Sequence, residues 1–181
     1  MTVYAALLAA LTTACALIAI PIGPVPIVLQ NFFVFLTGLL MGPRWGLASV
    51  AVYLLAGACG LPVFSGGTGG IARFVGPTGG YLIGYLPAVF VIGRICEKGR
   101  QRRGVDLLAV VCGALIVYAC GIPWLKILTG MSWGKTVALG MLPFLPGDAL
   151  KIAAVVPVAL TLRPIISKKK GSAWTPPPSL K

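Results

Sequence analysis

The sequence predicts an all-α membrane protein: a six-transmembrane-helix bundle with both termini inside (N-in/C-in) and long irregular extracytoplasmic loops. Three observations carry that expectation. Hydrophobic residues make up 58% of the chain and charged residues 10%, with a mean hydropathy of +0.98, whereas soluble domains carry about 25% charge. Almost every long segment is apolar on all sides, which requires burial in lipid or against other helices. Basic residues collect at alternate ends of these segments, as they do in the cytoplasmic loops of membrane proteins.

Six apolar segments run roughly over 3–20, 27–41, 45–60, 80–96, 105–124 and 138–162. About 20 helical residues cross a hydrocarbon core of about 30 Å, so the second and third are short and are expected to tilt or to run beside a re-entrant loop. The first segment resembles a signal sequence in length, but no basic stretch precedes it and no polar domain follows, so it is taken as a span. With the N-terminus inside, the inner loops and tail hold eleven basic residues: Arg44, Arg94, Lys98, Arg100, Arg102, Arg103, Arg163, Lys168, Lys169, Lys170 and Lys181. The outer loops hold three, Arg73, Lys126 and Lys135, and Lys151 lies within the last span. The opposite orientation would place both basic clusters outside, against the positive-inside rule. Residues 1–166 form one substrate-binding membrane domain on this reading. Residues 167–181 are basic and proline-rich and are expected to be a disordered cytoplasmic tail or a remnant of expression.

Composition also narrows the function. The net charge of +12 comes from 15 Lys and Arg against Glu97, Asp106 and Asp148. In a soluble protein it would suggest nucleic acid, but here it marks loops facing anionic lipid, and no aromatic–basic interleaving argues otherwise. The five cysteines form no CxxC pair and read as small buried hydrophobes. Histidine is absent, which removes the commonest general base and metal ligand. No metal site, cofactor or catalytic residue is expected.

The loops carry the candidate site. Residues 60–81 hold eight of the 24 glycines between two membrane segments. Glycine admits close approach of main chain to a ligand, and non-helical backbone at membrane depth must be covered by protein or line a cavity. Gly66 and Gly67 are therefore candidates for backbone contact, Arg73 for a carboxylate or carbonyl oxygen, and Phe64 for an apolar wall. The proline-rich loop 20–26 should lie on the same outer face as a stiff cap. Gln30 and Tyr81 are polar handles at the outer ends of spans two and four.

Asp148 and Lys151 are charges inside a span, which are costly and face the bundle interior. Their i, i+3 spacing puts them on one helix face, just after a Pro146-Gly147 helix start where an Asp also favours the dipole. They are read as ligand-recognising, with a merely local ion pair as the alternative. In the first segment, Ala6 and Ala10 form a small-residue stripe suited to close helix packing, within the bundle or against a partner. The GxGxxA match at Gly67–Ala72 lacks a preceding strand, and Gly134-Lys135-Thr136 lacks the first glycine of a P-loop, so both are set aside.

Together these residues resemble the BioY family, the biotin-binding S components of energy-coupling factor (ECF) transporters. The resemblance covers about residues 5–165. It rests on Pro21–Ile27 with Gln30, Gly42-Pro-Arg-Trp-Gly46, Tyr53-Leu-Leu-Ala-Gly57, Gly60-Leu-Pro-Val-Phe64, Gly76-Pro-Thr-Gly-Gly-Tyr81 and Pro146-Gly-Asp-Ala-Leu-Lys151. It implies a biotin pocket near the outer face, with Asp148 and Lys151 on the ligand and two loops helping to close it. It also implies that the Ala6–Ala10 stripe meets a transmembrane coupling subunit associated with two ATP-binding-cassette ATPases, in a bacterial or archaeal cell membrane. The role of Arg73 is not carried by the resemblance. Biotin fits the residues: Asp148 can accept a ureido N–H, and Lys151 or Arg73 can meet the carboxylate or the ureido oxygen. The alternatives are an S component for another small vitamin and an intramembrane enzyme using Asp148 and Lys151 for acid–base work.

Overall fold

The computed structural model describes residues 1–20, 24–99 and 102–168. The expected tail therefore lies outside the described residues from 169 onward, as do Pro21–Gly23 of the first loop and Arg100. The chain folds into helices α1 (Thr2–Leu17), α2 (Gln30–Ala58), α3 (Ala72–Val75), α4 (Gly79–Lys98), α5 (Arg103–Thr129), α6 (Trp133–Gly140) and α7 (Leu145–Lys168). Four of these, α2, α4, α5 and α7 (over Leu145–Ile166), are long and apolar enough to cross a membrane, and α1 is a shorter apolar helix.

The second and third apolar segments are the two limbs of α2. Gly42 interrupts the helix with φ 72° and ψ −176°, a conformation that excludes side chains, and Pro43 follows it. The limbs fold back on each other. A Cβ placed on Gly46 would lie 3.7 Å from the Cα of Gly38, whereas eight residues of straight helix would separate them by about 12 Å. The sixth segment is likewise divided. Residues 138–140 end α6, turns occupy 141–144, and α7 restarts at Leu145, because Pro146 and Gly147 suit a helix start better than a helix interior.

Small residues let the helices approach closely, as is usual in apolar bundles. A Cβ on Gly84 of α4 would lie 3.3 Å from the Cα of Val117 on α5. The core runs through α1, α2, α4, α5 and α7, with Tyr53, Phe35, Leu39, Ile92 and Leu125 fully enclosed. On α1, Ala5 and Ala9 face this core while Ala6 and Ala10 are exposed on the opposite side. The Ser49 hydroxyl donates to the carbonyl of Ala5 at 2.7 Å, fixing α1 to the second limb of α2.

Two features depart from the sequence reading. A two-residue antiparallel ladder, β1 (Ala19–Ile20) with β2 (Ile27–Val28), closes the first loop. Arg163, expected among the inner-loop charges, is not solvated, and neither is Asp106 inside the fifth apolar segment. Asp106 is fully buried and Arg163 nearly so, and their side chains pair at 2.6 Å. Arg163 Nη2 also reaches the Leu39 carbonyl at 3.3 Å and the Cys96 sulfur at 3.0 Å. This network ties α7 to α5, α4 and the first limb of α2 at the end of the bundle that also holds the Gly42 turn.

Candidate functional site

The opposite end of the bundle contains a cavity enclosing about 700 Å³ of empty space, its open mouth included. Three layers form it: the start of α2 with the residues before it, the Phe64–Thr78 loop, and the inward faces of α4, α5 and α7.

Asp148 and Lys151 stand on the α7 side. The helix begins three residues before Asp148, whose amide donates to the Phe144 carbonyl at 2.8 Å. One turn on, Lys151 Nζ donates to Asp148 Oδ1 at 3.0 Å and to the Val28 carbonyl at 2.8 Å. The second Asp148 oxygen accepts from the Tyr118 hydroxyl at 2.5 Å. Asp148 is 3% exposed, so its charge is held by a cation and a hydroxyl rather than by bulk water. The couple is electrically neutral as a whole and borders the cavity, which suits it to an uncharged group bearing both N–H donors and an oxygen acceptor.

The helix α4 contributes Tyr81, Leu82 and Tyr85. Tyr81 donates to the Gly140 carbonyl at 2.8 Å, across to the end of α6. Tyr85, one turn later on the same face, donates to Asn31 Oδ1 at 2.5 Å. Gln30 and Asn31 open α2 and both line the cavity. Gln30 is 2% exposed. Its side chain lies beside Tyr53, whose hydroxyl donates to the Val63 carbonyl at 3.1 Å, and its Nε2 has no hydrogen-bond partner among the described residues. A buried donor of this kind is costly unless something else occupies it.

The glycine-rich loop is shaped around Phe64. Its ring stands edge-on to Tyr53 and Phe74, with centroids 5.6 and 5.5 Å away, and fills the space over Gly57 that a side chain there would take. Its amide donates to Thr68 at 2.8 Å. Arg73, on the short α3, is half-buried at the cavity and has no carboxylate partner among the described residues.

Of the residues singled out from sequence, the structure brings Gln30, Phe64, Arg73, Tyr81, Asp148 and Lys151 to this one cavity. Gly66 and Gly67 do not line it. The Gly66 amide donates to the Ala16 carbonyl at 3.1 Å and the Gly67 amide to Phe64 at 3.0 Å, so they fasten the loop to α1 and to itself. Trp124 of α5 does not line the cavity either; its indole N–H donates to the Gly76 carbonyl at 2.9 Å. Sequence reading missed Asn31, Tyr85 and Tyr118. Their signal was present as Tyr81 and Tyr85 four residues apart on one helix face, and as a lone hydroxyl-bearing residue inside the fifth apolar run. Among the described residues, no group of three or more Cys, Asp or Glu side chains gathers as a metal site would require.

Comparison with known proteins gives the family. The BioY family model matches residues 1–168. The chain belongs to the BioY family. It is 44% identical over 158 residues to the probable biotin transporter BioY of Pyrococcus horikoshii, covering 87% of this chain and 93% of that one. It is 40% identical over 161 residues to the biotin transporter BioY of Thermotoga maritima, covering 89% and 94%. The crystal structure of an S-component for biotin from an ECF-type ABC transporter superposes with a TM-score of 0.85 at 36% identity, over 90% of each chain. The BioY fold is thus shared over nine-tenths of the chain.

Proposed function

We propose that this BioY-family chain is the biotin-binding substrate-specificity subunit of an ECF-type importer, taking up the vitamin at its extracytoplasmic end. The observation that carries the reading is the buried Asp148–Lys151 couple, held by Tyr118 and facing a cavity in a family whose relatives are named biotin transporters.

The chemistry of the cavity orients the ligand. The ureido ring of biotin is neutral and bears two N–H groups and one strongly accepting oxygen, so it matches the neutral couple on α7. The valerate carboxylate is charged and best kept near water, where Arg73 offers a planar cation at the mouth. The thioether ring meets Phe35, Phe64 and Phe144 between them. A different head group would leave Asp148 and the amides of α2 without partners in a dry site, and that penalty is the basis of discrimination.

In the membrane, the two limbs of α2 count as separate crossings, giving six with α1, α4, α5 and α7. Both termini face the cytoplasm of a bacterial or archaeal cell. The exposed Ala6–Ala10 stripe of α1 then faces lipid, where it can receive a transmembrane coupling subunit carrying two ATP-binding-cassette ATPases. The deciding experiment is calorimetry of the detergent-purified chain with biotin. Saturable one-site binding that excess thiamin or riboflavin does not displace is expected. Displacement by either vitamin, or no binding of biotin, would overturn the ligand assignment.

A further inference from the structure

We propose that Asn31, locked by Tyr85, is a specificity-determining residue that donates a hydrogen bond from Nδ2 to the ureido carbonyl oxygen of the ligand. The proposal rests on the biotin reading and assigns one side of the same cavity.

A carboxamide has one accepting oxygen and two N–H donors, and nothing intrinsic fixes which end faces a ligand. A free amide can flip and read an acceptor or a donor alike. Here the choice is made by Tyr85. Its side chain is 3% exposed, and its hydroxyl donates to Asn31 Oδ1 at 2.5 Å. With the phenol proton directed to Oδ1, the Nδ2 end of Asn31 is turned away from Tyr85; the phenol oxygen also accepts, so the lock holds only while Tyr85 is the donor. Asn31 lines the cavity, and none of the hydrogen bonds among the described residues takes up its Nδ2.

Three other donors near the site are directed elsewhere, whereas Gln30 Nε2 and the Arg73 guanidinium stand outside these bonds. Lys151 Nζ points at Val28 and Asp148, Tyr118 at Asp148, and Tyr81 at Gly140. The contact from Lys151 to Val28 brings α7 to within three residues of Asn31, and an acceptor, Asp148, and a donor, Asn31, line the same cavity. That pair is complementary to an N–H beside a C=O, the edge of a cyclic urea. The locked amide reads only an acceptor at that position.

The test compares biotin with 2-iminobiotin, in which the ureido oxygen is replaced by a protonated imine that offers only N–H donors near neutral pH. The readout is the ratio of the two dissociation constants, measured by calorimetry on the same preparation so that an inactive fraction cancels. The wild-type chain is expected to prefer biotin. Tyr85→Phe removes one oxygen atom and frees the amide to flip, and Asn31→Leu removes the amide. Each is expected to narrow the ratio by about tenfold or more, the scale of one hydrogen bond, with Tyr85→Phe weakening biotin itself less than Asn31→Leu does. If Asn31→Leu does not fold, the smaller Asn31→Ser takes its place. Equal affinity of the wild-type chain for both ligands, or a ratio within threefold of wild type in the folded Asn31 variant, overturns the proposal. A ratio narrowed by the Asn31 change but untouched by Tyr85→Phe overturns the lock. Failure of the wild-type chain to bind biotin at all is seen before any variant is made, and overturns the biotin reading together with this one.

Discussion

Replacing Asp148 by Asn separates what the carboxylate does for the ligand from what it does for the fold. The carboxylate accepts from Lys151 at 3.0 Å and from Tyr118 at 2.5 Å while 3% exposed. An amide keeps the shape but loses the charge, and it substitutes a donor for one acceptor. A hydrogen bond to a charged group contributes about 1.5–3 kcal/mol, so biotin affinity should fall roughly ten- to a hundredfold. The same change leaves Lys151, whose side chain is 10% exposed, as an uncompensated charge, and breaking such a pair costs about 3–5 kcal/mol of stability when fully buried, less here. The two effects part company in the double variant Asp148→Leu with Lys151→Met. Removing both charges leaves nothing to compensate, so the melting temperature should recover relative to Asp148→Asn while binding stays lost. The assays are calorimetry with biotin and thermal unfolding in detergent with and without ligand. A folded Asp148→Asn variant that binds biotin within threefold of wild type would refute the reasoning, because the carboxylate would then not touch the ligand.

Three further outcomes are expected. Arg73→Ala should weaken biotin by roughly three- to tenfold, the scale of a partly solvated charge pair, and should leave the affinity for uncharged biotinamide unchanged; an equal loss for both ligands in calorimetry would remove Arg73 from the carboxylate. Ala6→Trp should spare biotin binding by the purified chain but impair uptake by cells, since Ala6 lies on the exposed face of α1; normal uptake of labelled biotin would count against docking there. Asp106→Asn should lower the unfolding temperature sharply, by breaking a fully buried pair worth about 3–5 kcal/mol when one partner is removed, while the biotin to 2-iminobiotin ratio stays that of wild type; a changed ratio would mean that the far end of the bundle shapes the cavity.

The site was legible in the sequence wherever a residue was out of place in a membrane. Asp148 and Lys151 stood inside an apolar run, and the energetics of charge in lipid alone turned them inward. The glycines between two spans announced irregular backbone, although the roles of Gly66 and Gly67 proved to be fastening the loop rather than lining the cavity. Tyr85 and Tyr118 gave only a spacing signal, because a tyrosine in an apolar helix has the composition of an interfacial anchor, and only packing decides which way its hydroxyl points. Asn31 was overshadowed by Gln30 because one sequence position cannot reveal a bond to a residue 54 positions away. Arg163 and Asp106 were hidden for the opposite reason. Each sits near a segment end, where a charge is normally solvated, and burial became favourable only once they met across 57 residues. The break between α6 and α7 was signalled by Pro146-Gly147, but the continuous hydropathy of 138–162 masked it.

The two acid–base couples of the bundle have the same chemistry and opposite settings. The Asp106–Arg163 pair is joined by Cys96 and the Leu39 carbonyl, so four helical segments meet there through side chains sealed from water. Opening that end requires exposing or separating buried charges. The Asp148–Lys151 pair borders empty space, and the loop above it is held to the helices by a few scattered bonds, Gly66 to Ala16, Gly70 to Gly57, Tyr53 to Val63 and Trp124 to Gly76, with Phe64 as its one deeply buried apolar anchor. Local opening free energies follow such differences in burial and bonding. Amide exchange should therefore be fast at residues 65–78 and slow around Leu39, Asp106 and Arg163, and biotin should slow the first region far more than the second. A bundle stapled at one end and loosely capped at the other opens most easily at the cap, above a cavity lined by both helix faces and the loop.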